Sequence, residues 1–164
     1  MPSIDLNIAP VRCPMQAVEA DWIDYNGHMN MAYYHVAFDR ALDRVYDALS
    51  LGAAYTASGA GSLFTREVRV NYLNEASEGD KLGFSWQLLD LDSKRLHFLQ
   101  HMYRQSDDAL LATSEQLALH VDMTTRRTAP LPEAAQHQLT ALHAAHQGLP
   151  RPDGLGVPLG IRRR

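Results

Sequence analysis

The chain has 164 residues and a mass of 18.3 kDa, enough for one domain with a substantial core and too little for two full ones. Hydrophobic residues at 46% and charged residues at 21% suit a soluble globular protein, and no apolar run approaches the ~20 residues that span a bilayer, so no membrane partner is expected. Residues 1–122 hold 9 Lys+Arg against 17 Asp+Glu, and so acidic a body speaks against nucleic acid, because phosphate binding needs a cationic surface.

Met1 to Pro10 shows no basic start followed by an apolar stretch, so no secretory leader is expected. The single cysteine, Cys13, can form neither an internal disulfide nor a multi-thiolate metal site. Together these features point to a reducing cytoplasm. Residues 1–14 read as an extended lead-in with Pro2, Pro10 and Pro14, and Met15 to Trp22 as a short strand. Asp24-Tyr25-Asn26-Gly27-His28 reads as a turn, Asn-Gly being a strong turn dipeptide.

From Asn30 to Leu51 the pattern is helical. Tyr34, Phe38, Ala41, Leu42, Val45 and Leu49 recur at steps of three and four and so share one face. Asn30 suits the N-cap, where its side chain accepts from a free amide, and Gly52 suits a left-handed stop. At 1.5 Å per residue this helix would be roughly 33 Å long, and it needs a broad partner surface. Ser62–Leu73, Leu82–Leu91, Arg95–Gln105 and Leu110–Asp122 have strand-like composition, with turn signals between them. One strand, one long helix and four strands in hairpin succession give an α+β layer arrangement. Residues 124–164 form a C-terminal extension, with a short helix over 132–147 and a loose remainder. Its last residues, Ile161 to Arg164, read as a solvated basic terminus, with a minor role in holding an anion left open.

The usual catalytic signatures are missing. There is no GxSxG elbow, no GxxxxGK[ST] loop and no HExxH, and Gly154-Leu155-Gly156 lacks the strand and helix of a dinucleotide loop. Cys13 could act as a nucleophile only with a base folded beside it. The informative stretch is Asp24 to Asn30, set where a strand turns into the long helix. A helix N-terminus offers unpaired amides and partial positive charge, which can hold a polarised carbonyl oxygen. A carboxylate just before it would lie beside that carbonyl, and Gly27 would let the backbone come close. Such an arrangement is the minimum for hydrolysing an activated ester; on spacing alone, Asp24 reads first as a turn residue and His28 as a surface residue.

Asp24-x-x-Gly27-His28-x-Asn30, then Tyr33-Tyr34, a long helix and four strands resemble the hotdog-fold acyl-CoA thioesterases of the 4-hydroxybenzoyl-CoA thioesterase type, over residues 15–123. Asp21 to Asn30, Lys94-Arg95-Leu96-His97, and Ala112 to Gln116 with Leu119 to Asp122 look like the betainyl-CoA thioesterases found with, or fused to, carnitine dehydrogenase. The resemblance implies a hotdog fold: a curved antiparallel sheet wrapped round the helix. It also implies a homodimer with its sites at the interface, sometimes paired into a homotetramer, acting in carnitine metabolism. Asp24 would be the catalytic carboxylate, as nucleophile or as base for water. Amides near Gly27, His28 and Met29 would form the oxyanion site, and neither metal nor cofactor is implied.

Around that centre, His28 is a candidate for a ligand contact and Asn30 for a site role beyond capping. Glu67 and Glu115 stand on predicted strands where charge is unexpected, and Glu115 is the better substrate-binding candidate. Trp22, Tyr25, Tyr33 and Tyr34 are either core aromatics or a cage for a trimethylammonium group. Arg66, Arg69, Arg126 and Arg127 are candidates for the CoA phosphates. Alternatives to hydrolysis are a non-catalytic acyl-CoA-binding module, against which Asp24 speaks, and a hotdog dehydratase, which the DxxGH arrangement fits poorly.

Overall fold

A computed structural model describes residues 4–157 and 159. Strand β1 (Val11–Ala17) leads through a 3-10 turn, Ala20–Trp22, to the helix α1 (Met31–Ala48). A short helix α2 (Ala53–Ala57) follows, then β2 (Ser62–Tyr72), β3 (Lys81–Leu91), β4 (Arg95–Arg104), β5 (Leu110–Asp122), a two-residue β6 (Arg127–Thr128) and α3 (Glu133–His146).

The antiparallel sheet runs in the order β1-β3-β4-β5-β2, with β6 alongside β5. The strands β3, β4 and β5 are joined by hairpins, as their turn signals imply. β2 instead pairs with β5, from Ser62 opposite Val121 to Tyr72 opposite Ala112. The β2–β3 connection is therefore a crossover rather than a hairpin. β1 and β2 become the two outer strands, and α1 lies across the strands between them.

The first strand starts four residues earlier than its composition implies, and Trp22 lies outside it. Pro14 sits where the register with β3 shifts, between Cys13 and Gln16, on a strand bonded on one side only among the described residues. An outer strand and a bulge are the places where a missing N–H is tolerated.

Helix α1 buries Tyr34, Phe38, Ala41, Leu42 and Val45 on the face that the spacing marks, with Leu49 just beyond its end. Asn30 caps it, the side-chain oxygen accepting from the Ala32 amide at 3.0 Å. The helix stops three residues short of Leu51. Ser50, not Gly52, takes the left-handed conformation (φ 58°), and the Leu51 amide closes back onto the Tyr46 carbonyl at 2.8 Å. Gly52 is needed for space instead: a Cβ there would collide with Asp47.

Phe84, Trp86, Leu88, Leu96, Phe98 and Met102 meet α1 from the sheet and form the core with it. Two polar residues of this layer bind the helix directly. Gln100 donates to the Phe38 carbonyl (3.1 Å) and Gln16 to the Ala37 carbonyl (2.9 Å), so neither buries its amide nitrogen unpaired. Helix α3 packs along β3 and adds Leu139 and Leu142 to the same core.

Candidate active site

The turn between the 3-10 segment and α1 is a small closed frame. The Asp24 amide donates to the His28 carbonyl and the Gly27 amide to the Asp24 carbonyl, both at 3.0 Å. The Asn30 amide reaches the Trp22 carbonyl at 2.8 Å. Gly27 has φ of +80°, and nothing lies within 4 Å of where its Cβ would be. Within the protomer its role is conformational: it supplies the left-handed residue of the turn.

The frame fixes the Asp24 carboxylate. One oxygen accepts from the Asn26 amide at 2.8 Å. The other faces the Asn30 side-chain amide at 3.4 Å. Asn30 therefore makes two contacts, capping α1 with its oxygen and facing Asp24 with its nitrogen. The half-buried carboxylate stands at the positive end of the 18-residue helix.

Of the three amides expected to hold the oxyanion, two are already used. Gly27 closes the turn, and the Met29 amide donates to the Ala76 carbonyl at 2.8 Å. The His28 amide has no acceptor among the described residues, which makes it the available donor of the set. The His28 ring turns away to the loop after β2, its Nε2 at 2.9 Å from Glu75 Oε2.

The aromatic residues do not converge on one cage within the protomer. Trp22 is buried and stacks on Tyr33 at 5.5 Å between ring centroids, with the Arg40 guanidinium over its ring at 5.1 Å. Tyr34 is buried as well, and its hydroxyl donates to the Asn74 carbonyl and accepts from the Ala76 amide. Tyr25, at the tip of the turn, is 96% exposed. Trp22 and Tyr34 belong to the core and Tyr33 packs against it, and the helical spacing of Tyr34 already placed it on the core face.

Glu115 stands on β5, as its composition implies. Its neighbours Ser114 and Gln116 point to the α1 side, where Gln116 donates to Gln100 at 3.1 Å. Strand alternation puts Glu115 on the opposite, outer face. There its 11% exposed side chain meets His97 Nε2 at 2.9 Å and Arg69 at 3.7 Å, and accepts from the Gly156 amide at 2.9 Å. Arg69 additionally donates to the Gly154 carbonyl at 2.6 Å, so the described part of the C-terminal segment is tied to the sheet rather than loose. The network borders a cavity of about 850 Å³, on the face of the sheet opposite to α1, the helix that follows the Asp24 turn. Arg69 is thereby committed to Glu115. Arg66 and Arg127 are exposed, and Arg126 lies over the Phe64 ring at 5.3 Å. Glu67 is exposed too, and the basic Ile161–Arg164 terminus lies outside the described residues.

Cys13 is buried, and burial pushes its thiol up to about 12. It stays protonated at neutral pH and supplies no nucleophile. No group of three or more His, Cys, Asp or Glu suited to a metal ion occurs among the described residues, and no helix there is long and apolar enough to cross a membrane.

Residues 18–139 match the model of the thioesterase-like superfamily. The chain belongs to that superfamily. It is 37% identical, over 86% of its length and 89% of the relative's, to the betainyl-CoA thioesterase of Pseudomonas aeruginosa. It is also 34% identical over 99% of its length to an L-carnitine dehydrogenase/betainyl-CoA thioesterase of a Rhizobium species, of which it spans 33%. Among solved structures, a Staphylococcus aureus protein in complex with CoA superposes with a TM-score of 0.84 at 29% identity, covering 91% of this chain and 94% of that one. A candidate thioesterase from Pseudomonas putida KT2440 gives 0.79 at 32% identity, with 99% of each chain covered. The curled sheet round α1 is the hotdog fold of these thioesterases.

Sequence reasoning gave no weight to Glu75, the residue that pairs with His28 beside the turn. It stands in a loop with no motif around it. The available signal was indirect: a tyrosine on the core face of α1 needs a partner for its hydroxyl, and that partner is the Asn74–Ala76 backbone that carries Glu75.

Proposed function

We propose that the protein hydrolyses a small acyl-CoA to the free acid and CoA at Asp24, and that the acyl group is betainyl, released in carnitine degradation. The observation that carries the site assignment is the Asp24 carboxylate, held by the Asn26 amide and Asn30, beside the free His28 amide. A thioester carbonyl whose oxygen accepts from that amide would present its carbon to the carboxylate. Asp24 then either attacks the carbon, expelling the CoA thiolate and leaving an anhydride for water to open, or takes a proton from the water that attacks. The developing oxyanion is stabilised by the amide and by the end of α1. The acyl group is supported by the names of the relatives and by the acidic body.

Thiol release from a panel of acyl-CoA esters tests this reading. Betainyl-CoA should be hydrolysed with a higher kcat/KM than the analogue carrying tert-butyl in place of trimethylammonium. Equal values would leave a general short-chain thioesterase, and no release from any ester would leave an acyl-CoA-binding module.

The working unit proposed is a homodimer, with a homotetramer as its further assembly. β2 pairs with β5 alone among the described residues, and Phe64, Val68 and Tyr72 are exposed along it. An unpaired strand with apolar side chains is a template for a second copy. The interface would bring a partner's surface to the Asp24 turn and complete the acyl pocket. Arg66, Arg126 and Arg127 are the basic residues proposed to meet the CoA phosphates, in a cytoplasmic setting suited to CoA esters. Sedimentation at micromolar concentration should give at least a dimer, and an active monomer would overturn the assembly.

A further inference from the structure

We propose that Glu75 is a specificity-determining residue of the Asp24 site, its carboxylate supplying the negative charge that favours a cationic acyl group. The proposal rests on the betainyl reading given above. It starts from how firmly an exposed loop residue is held. The Tyr34 hydroxyl donates to the Asn74 carbonyl at 3.1 Å and accepts from the Ala76 amide at 3.0 Å. The Ala76 carbonyl accepts from the Met29 amide at 2.8 Å. These three bonds bracket Glu75 and lock its backbone to the residue that follows His28. The Glu75 side chain is 72% exposed, yet its carboxylate is fixed by His28 Nε2 at 2.9 Å.

The pair brings the Glu75 carboxylate to the rim of the Asp24 turn. Arg104, the cation nearest in effect to Tyr34, is itself paired with Asp80 at 3.8 Å and Asp107 at 3.2 Å. The rim's charge is therefore not cancelled by a free arginine.

Substrate geometry makes this charge count. In a betainyl ester the quaternary nitrogen is two bonds from the carbonyl carbon, about 2.5 Å away. A carbonyl oxygen held by the His28 amide therefore places the cation in the immediate surroundings of residue 28. A trimethylammonium group donates no hydrogen bond, so it is read by π faces or by charge. Within the protomer, Trp22 is already covered by Tyr33 and Arg40 and Tyr34 is buried, while Tyr25 stands exposed at the tip of the turn. Charge is the other source of attraction, and beside Asp24 itself Glu75 is the carboxylate fixed at residue 28.

The test compares wild type, Glu75→Gln and Glu75→Lys at pH 8 with betainyl-CoA and its tert-butyl isostere. Glu75→Gln should lower kcat/KM for betainyl-CoA about fivefold and leave the isostere within twofold, a Coulomb effect expected of an exposed charge. Glu75→Lys should lower the betainyl value further while again sparing the isostere. Activity on the isostere shows that each variant is folded. Equal losses on both substrates would mean that Glu75 merely holds His28, and would overturn the proposal, as would an unchanged preference in either variant. A wild type without preference would overturn the betainyl reading and the role of Glu75 with it, whereas a wild-type preference that survives both substitutions overturns the role of Glu75 alone.

Discussion

Asp24→Asn should lower kcat for thioester hydrolysis by about a thousandfold or more, about 4 kcal/mol of lost transition-state stabilisation at 1.36 kcal/mol per decade. An amide can neither attack the thioester carbon nor take a proton from water at a useful rate, so both roles open to Asp24 vanish together. The fold should survive. Asn retains an oxygen for the Asn26 amide, whose bond to Asp24 measures 2.8 Å, and the turn backbone does not depend on the side chain. Thermal unfolding should therefore shift by only a few degrees while steady-state turnover collapses. A folded variant with wild-type turnover would remove Asp24 from the chemistry. Single-turnover measurements with excess enzyme would also show whether the residual rate lies in the chemical step.

How much of this was legible beforehand follows the range of the interactions. The α1 face was legible because a helix prints its contacts at steps of three and four, and Tyr34, Phe38, Ala41, Leu42 and Val45 are all buried. Asn30 as cap was legible because its partner, Ala32, is two residues away. Gly52 was misjudged, since glycine at a helix end satisfies either a left-handed turn or a tight contact, and only the fold shows the Asp47 contact. The strand order was beyond reach: β2 and β5 pair over some fifty residues, and hairpin and crossover share the same strand composition. For the site, Asp24, His28 and Asn30 fall within one local motif, whereas Glu75 arrives through the Tyr34 clamp. The face that Glu115 occupies was not legible, because alternation tells which residues share a face, but not which face meets the helix.

Removing the packing of α3 should cost nearly as much stability as Asp24→Asn costs activity. Leu139 is fully buried in the common core, and Leu139→Ala should destabilise the fold by about 2–5 kcal/mol, a large part of a domain's usual 5–15. The helix is also tied to β3 by backbone partners that β1 does not cover. The Leu88 amide donates to His146 Nδ1 at 2.9 Å, and the Leu89 carbonyl faces His143 Nε2 at 3.1 Å and Arg151 at 2.9 Å. Because Nδ1 accepts, the His146 proton sits on Nε2, a buried atom without a partner among the described residues. The ring packs edge-on to Trp86 at 5.9 Å. Burial, helped by the charge of His143, holds the His146 imidazole below its ordinary value. The native state thus prefers the neutral ring, while the unfolded chain takes up a proton near the ordinary value of about 6.5. The stability from this group is complete above that value and falls as the pH drops through the lowered one. His146→Asn offers an oxygen close to the Nδ1 position for the Leu88 amide but cannot titrate. Urea midpoints for wild type should fall between pH 7 and pH 5 more steeply than for His146→Asn. Parallel curves for the two proteins would show that protonation of His146 plays no part in releasing α3 from the sheet.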